Sequence, residues 1–395
     1  MIAAAASARA QTSEFRRAPE VLGEKFSDFL SRARSQHDTD KKAKLVNELI
    51  SKVRTYGGPL VSDSTVFFVY QGNAKRVGVP SDLNAWNPQV DTMFRLDGTN
   101  FFFLEKNVDQ AARFEYKLVV DSSWSLDPLN RQTSAGGYGF NSEVRMEKYR
   151  SPKEIEFNRD IPHGTIDTIA FKSAILGRTH PVFVYLPPTY KRSRDRFPTI
   201  WVTDGGEYLT LALMNNVLDN LIAEERIRPV VAVFIDPRTD VRDSGTSTRM
   251  YDYTMSDTFV TALTLELRPR LLKKYRISEA PGQTAIMGAS LGGLIATYVA
   301  YKHPDIFGLV AAQSPSYWWS EGRVIKLLKE GPMRSLKFYI DTGTIRDAEI
   351  EARKMKSILE EKGYPLVYSE YPEGHNWANW RARIDDILMY FWGVK

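Results

Sequence analysis

Apolar positions divide the chain into three regions. Through residues 21–55 they recur every three or four positions, which predicts amphipathic helices that end at the Tyr-Gly-Gly-Pro run at 56–59. From about Ser64, short runs of β-branched and aromatic residues alternate with turn signals, which predicts an all-β module. From about Thr165, apolar runs of strand length alternate with helical patterns, which predicts βαβ units around a mainly parallel sheet.

These patterns predict an α/β fold for the larger part of the chain. We expect a three-layer sandwich with a mainly parallel sheet, preceded by a small immunoglobulin-like all-β sandwich and an N-terminal helical segment. The expected boundaries are a disordered tail or signal remnant at 1–20, a helical segment at 21–60, a β-sandwich at 61–150, a linker at 151–164 and an α/β domain at 165–395.

Composition narrows the classes of function. Of the 395 residues, 43% are apolar and 26% are charged, which is typical of a globular protein with a full core. The 53 basic and 48 acidic residues leave a net charge of +5 without a dense basic stripe, which argues against a nucleic-acid partner. A chain without cysteine has no disulfide scaffold, no thiolate zinc site and no cysteine nucleophile.

Two segments bear on membranes and export. Residues 280–301 carry no charge over the length of a membrane span. They change from strand-like to helix-like halfway, so we expect a buried strand, turn and helix rather than a span. The N-terminal run ends in Ala8-Arg9-Ala10, which resembles a signal-peptidase site although no apolar core precedes it. We expect export to the periplasm or secretion, with the cytoplasm as the alternative.

The sequence Gly288-Ala-Ser290-Leu-Gly292 matches the Gly-x-Ser-x-Gly nucleophile elbow. In that motif the serine lies on a strained turn between a strand and a helix, and an apolar strand-like run and an apolar helical run flank the match here. A glycine-rich turn that matches by chance is the alternative. We expect Ser290 to be a nucleophile, and a serine hydroxyl needs an adjacent base.

The base follows by elimination among five histidines. Four of them lie in the polar N-terminal region, the interdomain connection, the start of a strand and a helix end; these are His37, His163, His180 and His303. His375 remains, in a glycine-containing loop after the last predicted strand. The chain order serine, acid, histidine puts the base in that loop, and a surface histidine without a role is the alternative.

The acid is expected in the loop that follows the strand at 337–340. Asp347 lies beyond the apex of this loop, and we predict that it orients His375. Asp341 and Glu349 are the alternatives. Asp341 ends the strand and is also suited to tie down the turn, while Asp347 is also suited to cap the following helix.

An oxyanion hole needs two backbone N–H donors. Leu291 follows the nucleophile at the start of a helix and is expected to supply the first. The loop Trp201–Glu207 follows an early strand, and Gly205 or Gly206 is expected to supply the second, with a plain glycine turn as the alternative.

Aromatic residues adjoin the expected site. Tyr317 and Trp318 follow the strand after the elbow, and Trp377 follows His375 by two positions. Aromatic walls suit a flat aryl acyl group through offset stacking, so these three residues are predicted to bind substrate. A hydrophobic cap over the end of the sheet is the alternative.

Five segments occur in an order that resembles the esterase D-type branch of the α/β-hydrolases. They are Val184-Tyr-Leu-Pro-Pro188, Val202-Thr-Asp-Gly205, Glu266-Leu-Arg-Pro269, Gly288-Ala-Ser-Leu-Gly-Gly293 and Gly374-His375. That branch includes enterochelin esterases, feruloyl and acetylxylan esterases and mycolyltransferases, and the resemblance covers about residues 165–395. It implies an esterase with a Ser-His-Asp or Ser-His-Glu triad and no metal or other cofactor, with Ser290, His375 and Asp347 in those roles.

The siderophore esterases of this branch often have an arginine that contacts the anionic substrate, in the segment before the Glu-Leu-x-Pro helix. Arg249 occupies that segment here, with Arg242 nearby, and the resemblance implies the same role; a surface salt bridge is the alternative. The run Thr203-Asp-Gly-Gly206 departs from the Leu-Asp-Gly-Gln-like run that is more frequent in the siderophore esterases. The natural substrate is therefore open.

The β module has a resemblance of its own. The runs at 79–86, 113–117 and 124–130 are similar to an early-set domain akin to family 48 carbohydrate-binding modules. In glycogen-binding members exposed aromatic residues stack on sugar rings, which implies that role for Trp86 and Trp124. The alternatives are that these tryptophans pack in the core or at an interface, or that the module forms one wall of the active site.

The main hypothesis is a serine carboxylic-ester hydrolase that forms an acyl-enzyme and acts on a siderophore-type trilactone. A carbohydrate esterase that releases feruloyl or acetyl groups is the second hypothesis. A non-catalytic carbohydrate- or siderophore-binding protein on a hydrolase scaffold is a third, from another class. A small-molecule or saccharide ester is the expected partner, and the oligomeric state is left open.

Overall fold

The computed structural model describes residues 17–238 and 247–394. The chain forms two compact units, one comprising Met1–Ser134 with Gly139–Arg150 and the other comprising Ala135–Tyr138 with Ser151–Lys395. Arg242 and most of the predicted N-terminal tail lie outside the described residues.

The first unit begins with helices and continues with short strands. The helices are α1 (Ala18–Leu22), α2 (Phe26–Ser35) and α3 (Thr39–Tyr56). The strands are β1 (Leu60–Ser62), β2 (Thr65–Gln71), β3 (Val77–Gly78), β4 (Phe94–Arg95), β5 (Phe101–Asn107), β6 (Arg113–Tyr116), β7 (Leu118–Val120), β8 (Ser123–Ser125), β9 (Thr133–Gly136) and β10 (Gly139–Arg145). They form three small sheets with the orders β1-β2-β5-β4, β6-β10-β9 and β3-β7-β8. The predicted all-β region is confirmed.

Helix α2 and the first of these sheets share one hydrophobic core. Phe26 and Phe29 lie on the buried face of α2, which the three-and-four spacing predicts. The ring centroid of Phe26 lies 4.8 Å from that of Phe67 in β2, and the ring centroid of Phe29 lies 6.1 Å from that of Phe101 in β5. The N-terminal helices and these strands therefore belong to one compact unit.

The second unit is built on an eight-stranded sheet. Its strands are β11 (Thr165–Ser173), β12 (Arg178–Leu186), β13 (Thr199–Thr203), β14 (Val231–Ile235), β15 (Thr284–Ala289), β16 (Leu309–Gln313), β17 (Lys337–Gly343) and β18 (Leu366–Tyr371). The order across the sheet is β11-β12-β14-β13-β15-β16-β17-β18, so β11 and β18 lie at its edges. The pairs β11–β12 and β12–β14 are antiparallel, and the remaining pairs are parallel. The predicted, mainly parallel sheet is confirmed.

Helices cover this sheet. They are α4 (Gly205–Thr210), α5 (Met214–Ala223), α6 (Arg249–Tyr253), α7 (Asp257–Thr261), α8 (Arg268–Lys274), α9 (Leu291–Lys302), α10 (Trp319–Glu330), α11 (Glu349–Glu361), α12 (Trp377–Arg381) and α13 (Ile384–Trp392). A π-helical turn at Ala262–Leu267 joins α7 to α8. Successive side chains of a strand point to opposite faces of the sheet, so β13 contributes to two cores. Trp201 packs in the core on one face, and Ile200 and Val202 pack in the core on the other. The sheet is thus the middle layer of three.

The uncharged stretch at 280–301 forms a strand, a turn and a helix, as predicted. It contains β15 and most of α9, and all residues from Leu291 to Tyr301 are buried. Helix α9 is apolar all round because it lies inside the protein, between the sheet and other helices. Within the described ranges, no helix combines the length and the apolar character that crossing a membrane requires.

Candidate active site

Four neighbouring parallel strands bring the predicted triad residues together at the carboxyl ends of the strands. These are β15, β16, β17 and β18, which lie side by side, and the carboxyl ends of parallel strands all face the same side of the sheet. Ser290 follows β15, Asp347 follows β17 and His375 follows β18. The segment after β16 runs between them.

Ser290 lies on the tight turn that the motif predicts. Its backbone has φ 59° and ψ −123°, a conformation that costs energy for a residue with a side chain. A Cβ at Gly288 would meet Thr203 Oγ1 at 2.0 Å, and one at Gly292 would meet the same oxygen at 2.5 Å. Both glycines of the motif are therefore needed because β13 and α9 approach the turn so closely.

Asp347 and His375 form a hydrogen-bonded pair. The Nδ1 atom of His375 lies 2.5 Å from Oδ1 of Asp347. The Asp347 side chain is fully buried, and its Oδ2 accepts hydrogen bonds from the Ser314 hydroxyl at 2.6 Å and the Gly343 N–H at 2.5 Å. The imidazole is 38% exposed and so remains open to a substrate. The fixed carboxylate can set the orientation of the ring and favour a proton on Nδ1.

The other two candidate acids have different surroundings. Asp341 is fully buried at the end of β17 and accepts a hydrogen bond from Nε2 of Gln313 at 3.2 Å through its Oδ2 atom. Among the residues that the structure describes, none bonds its Oδ1 atom. Burial raises the pKa of Asp341 to about 8. Glu349 begins α11, and its buried Oε2 likewise has no hydrogen-bond partner within the described part of the chain. The structure therefore brings Asp347, and neither alternative, to His375.

The hydroxyl of Ser290 contacts a neighbouring serine rather than the imidazole of His375. Ser290 Oγ lies 3.2 Å from the Oγ atom of Ser316, and among the described residues no hydrogen bond joins it to His375. Such contacts are often long in unliganded enzymes and tighten when substrate binds.

The predicted oxyanion donors lie at two helix starts. Leu291 is the first residue of α9, while Gly205 and Gly206 are the first two of α4, where backbone N–H groups lack intrahelical acceptors. Packing requires glycine at 205, and at 206 a larger residue would displace neighbouring side chains. A Cβ at Gly205 would meet the backbone carbon of Phe234 at 2.4 Å, and one at Gly206 would meet Oδ2 of Asp236 at 2.1 Å. The assignment of these donors stays a prediction.

Arg249 forms a salt bridge beside these donors. Its Nε and Nη2 atoms donate to the two carboxylate oxygens of Asp204 at 2.8 and 2.9 Å, and Nη2 also donates to the carbonyl of Ala289 at 3.2 Å. The Arg249 side chain is 28% exposed. Burial raises the pKa of Asp204, although Arg249 opposes this shift. Arg249 thus ties the loop after β13 to the end of β15, and its contact with an anionic substrate stays a prediction.

The predicted aromatic wall is only partly present. Tyr317 is fully buried, and its hydroxyl lies 2.7 Å from Oγ1 of Thr297. Trp377 is only 7% exposed, and its ring packs edge-on against Tyr208 at 5.1 Å. Both rings fill the core, contrary to the prediction that they bind substrate, because a large aromatic ring gains more from burying its apolar surface among core residues. Trp318 is 55% exposed and remains available for a ligand.

Two serines whose contacts the sequence did not predict touch the pair or the nucleophile. Ser316 touches Ser290, Ser314 touches Asp347, and Trp380 donates its indole N–H to Ser314 Oγ at 3.0 Å. A usable signal was present, since Ser-Pro-Ser follows directly after the strand next to the elbow strand.

Two of the three other histidines of this unit hold structural contacts. Nδ1 of His163 lies 2.9 Å from Oδ2 of Asp219. His180 is buried, with its Nδ1 atom 3.1 Å from the carbonyl of Asp236. Neither histidine contacts Ser290, which agrees with the elimination of both as the base.

A serine on a strand-to-helix turn, followed in the chain by an acid and a histidine at neighbouring strand ends of a three-layer sandwich, defines an α/β-hydrolase fold. The sequence model of the family described as putative esterase matches residues 173–391, more than half of the chain. The chain therefore belongs to the putative esterase family, and it is a carboxylic ester hydrolase. The predicted family resemblance is confirmed.

Individual relatives agree with this assignment. The iron(III) enterobactin esterase of Escherichia coli K12 is 26% identical over 343 residues, which span 78% of this chain and 83% of that protein. The endo-1,4-beta-xylanase/feruloyl esterase of Xylanibacter ruminicola is 27% identical over 202 residues, which span 49% of this chain and 27% of that protein. The structure of the ferric enterobactin esterase from Salmonella typhimurium has a similar fold, with a TM-score of 0.71 at 21% identity over 84% of this chain and 95% of that chain.

Proposed function

We propose that this ester hydrolase acts through Ser290, His375 and Asp347 and forms an acyl-enzyme. The observation that carries the proposal is the hydrogen bond between the buried Asp347 carboxylate and the exposed His375 imidazole. This pair lies at the carboxyl ends of the strands, as does the strained Ser290. A hydrogen-bonded acid and base beside a serine on such a turn are the parts that serine acyl transfer needs.

In the first half of the reaction, Nε2 of His375 takes the proton of the Ser290 hydroxyl, and Oγ attacks the ester carbonyl. Asp347 keeps the other imidazole nitrogen protonated and stabilises the imidazolium that forms. The carbonyl oxygen becomes negative and accepts hydrogen bonds from the N–H of Leu291 and from Gly205 or Gly206. His375 then returns its proton to the departing alkoxide. Water, activated by the same histidine, hydrolyses the acyl-enzyme in the second half.

For the substrate, we propose a siderophore-type trilactone of the enterobactin kind. The relatives named as enterobactin esterases support this choice, because the Escherichia coli protein aligns over most of both chains. Two features of the site also support it. Trp318 is exposed and suits an aryl group, and the Arg249 guanidinium, paired with Asp204 but still 28% exposed, lies beside the predicted oxyanion donors, where it can also meet an anionic ligand.

A carbohydrate esterase is the second candidate. The feruloyl esterase relative supports it, and so does Trp124, which is 50% exposed on β8 of the first unit and is suited to stack on a sugar. Feruloyl esters also carry an aryl group, so Trp318 does not separate the two candidates.

The triad is tested with Ser290→Ala and with a fluorophosphonate that labels activated serines. We expect Ser290→Ala to fold normally and to lose hydrolysis of p-nitrophenyl butyrate by about a thousandfold or more. The matched control is Ser357→Ala, an exposed serine on α11 whose replacement should leave turnover unchanged. Labelling of a serine other than Ser290, or near-parental turnover in Ser290→Ala, would overturn the proposal.

The substrate is tested with a panel of a ferric catecholate trilactone, feruloylated arabinose and acetylated xylan. We expect the highest kcat/KM on the trilactone. A preference for either saccharide ester would replace the siderophore assignment with the carbohydrate esterase and would leave the triad untouched.

A further inference from the structure

The segment 313–316, which follows β16, is bonded both to the nucleophile and to the acid strand. The carbonyl of Gln313 accepts a hydrogen bond from the N–H of Ser290 at 2.9 Å, and the N–H of Ser316 donates to the carbonyl of Ser290 at 2.9 Å. On the other side, the N–H of Ser314 donates to the carbonyl of Asp341 at 2.7 Å. The backbone of this segment therefore fixes the distance between the elbow and the end of β17.

Ser316 presents a buried hydroxyl to the nucleophile. Its side chain is almost entirely buried, and its Oγ atom lies 3.2 Å from Ser290 Oγ. Among the described residues, this is the one side-chain hydrogen bond of Ser316. If Ser290 donates its proton to His375, the Ser290 oxygen has lone pairs free, and the Ser316 hydroxyl is placed to donate to one of them.

Ser314 presents a second buried hydroxyl to the acid. It donates to Oδ2 of Asp347 at 2.6 Å and accepts the indole N–H of Trp380 at 3.0 Å. The indole ring in turn lies edge-to-face with the His375 ring, 5.1 Å between centroids. Ser314 has φ 41°, which is costly for a residue other than glycine, so the surrounding structure holds it there against strain.

Resting on the function proposed above, we infer that Ser316 is a further catalytic residue and that Ser314 positions the acid, so that one segment supports both ends of the triad. When Ser290 loses its proton to His375, negative charge develops on Oγ, and the hydrogen bond from Ser316 strengthens. The same holds when Oγ leaves the acyl group during deacylation. Ser316 keeps its own proton throughout, and the transferred proton moves from Ser290 to His375 and on to the leaving alkoxide.

Ser314 acts through Asp347 and does not contact the reacting atoms. Its hydroxyl and the Gly343 N–H both bond Oδ2, which leaves Oδ1 directed at Nδ1 of His375. Without the hydroxyl, the carboxylate can rotate about its side-chain bonds and lose this alignment. Small misalignments of a general base cost rate because proton transfer depends on geometry.

The role of Ser316 is tested by the rate at which a fluorophosphonate labels Ser290, which reports nucleophile reactivity independently of the natural substrate. We expect Ser316→Ala to lower the labelling rate and kcat by about tenfold, the effect of one neutral hydrogen bond, and Ser316→Thr to restore part of both. The control is Thr297→Val, which removes another buried hydroxyl from the same unit without contact with the triad. Parental labelling in Ser316→Ala would overturn its catalytic role.

The role of Ser314 is tested with Ser314→Gly, because glycine tolerates the positive φ and the change removes the hydroxyl together with its Cβ. We expect kcat to fall about tenfold with KM unchanged, and we expect this loss to disappear in an Asp347→Asn background. A loss of equal size in both backgrounds would show a general structural effect and overturn the positioning role. If the parent protein is not labelled at Ser290, the proposed triad itself fails, which is a different result from either outcome above.

Discussion

Replacing Asp341 with asparagine should stabilise the folded protein at neutral and higher pH, and its stability relative to the parent should grow as the pH rises from about 4 to 8. Burial raises the pKa of this carboxyl group from 3.8 to about 8. Between these values the folded protein holds a proton that the unfolded chain has released, so a rising pH favours unfolding. Below about pH 4 both states are protonated and the cost vanishes, and above about pH 8 the cost is complete.

The size of the effect follows from the pKa difference. One pKa unit corresponds to about 1.4 kcal/mol, so about four units between 3.8 and 8 set an upper limit of about 6 kcal/mol above pH 8 and about 4 kcal/mol at pH 7. Asparagine avoids this cost and still accepts the hydrogen bond from Gln313. Its amide N–H group, however, would point where Oδ1 now has no partner, at a cost of about 1–3 kcal/mol. The net gain at pH 7 is therefore about 1–3 kcal/mol.

The assay compares the free energy of unfolding of the parent and Asp341→Asn in denaturant at about pH 5, 7 and 8.5, together with turnover of p-nitrophenyl butyrate. The difference should increase with pH while turnover stays within a few-fold of the parent. A variant that is less stable at the highest pH, or a difference that does not change with pH, would refute the reasoning. A loss of turnover beyond about tenfold would make Asp341 the acid in place of Asp347.

Three further predictions address the site. Asp347→Asn should lower kcat by as much as about 10⁴-fold with little change in KM, measured by steady-state kinetics, because the amide favours the wrong imidazole tautomer; a loss below about tenfold would contradict the triad. In the parent, kcat/KM should fall in acid because a general base of this kind acts only as a neutral imidazole, and a profile that is flat down to about pH 5 would remove histidine from the mechanism. Trp318→Ala should raise KM for feruloyl esters about tenfold and leave acetyl esters unaffected, whereas Tyr317→Phe should cost about 1 kcal/mol of stability with no change in KM.

The local parts of the site could be predicted from the sequence. Ser290 is marked by two glycines whose spacing is set by the turn itself, and the structure shows that Thr203 leaves no room for larger residues at Gly288 and Gly292. His375 could be found because only five histidines exist and the chain order of the fold restricts where the base lies. The alternation of strand and helix patterns predicted the mainly parallel sheet, because apolar positions recur with one period in strands and another in helices.

The parts that depend on distant packing could not be predicted. The partner of Arg249 is Asp204, 45 positions earlier, and only the placement of β13 beside β15 brings them together. Tyr317 and Trp318 are neighbours in sequence with the same apparent suitability for a ligand, yet one is buried and the other exposed. Ser314 became recognisable as a partner of Asp347 only when the order β15-β16-β17 was known, because that order places the segment after β16 between the two sites.

The position of β18 at the edge of the sheet has a consequence for thermal behaviour. Of the described strands, β18 pairs with β17 alone, and all six of its residues are only partly buried, whereas β15 is buried throughout. Edge elements with few buried contacts open locally at a lower free energy than the centre of a sheet. The loop that carries His375 follows directly after this strand. Fraying of β18 would withdraw the imidazole while the elbow stayed folded, so heating should abolish turnover reversibly several degrees before circular dichroism registers global melting.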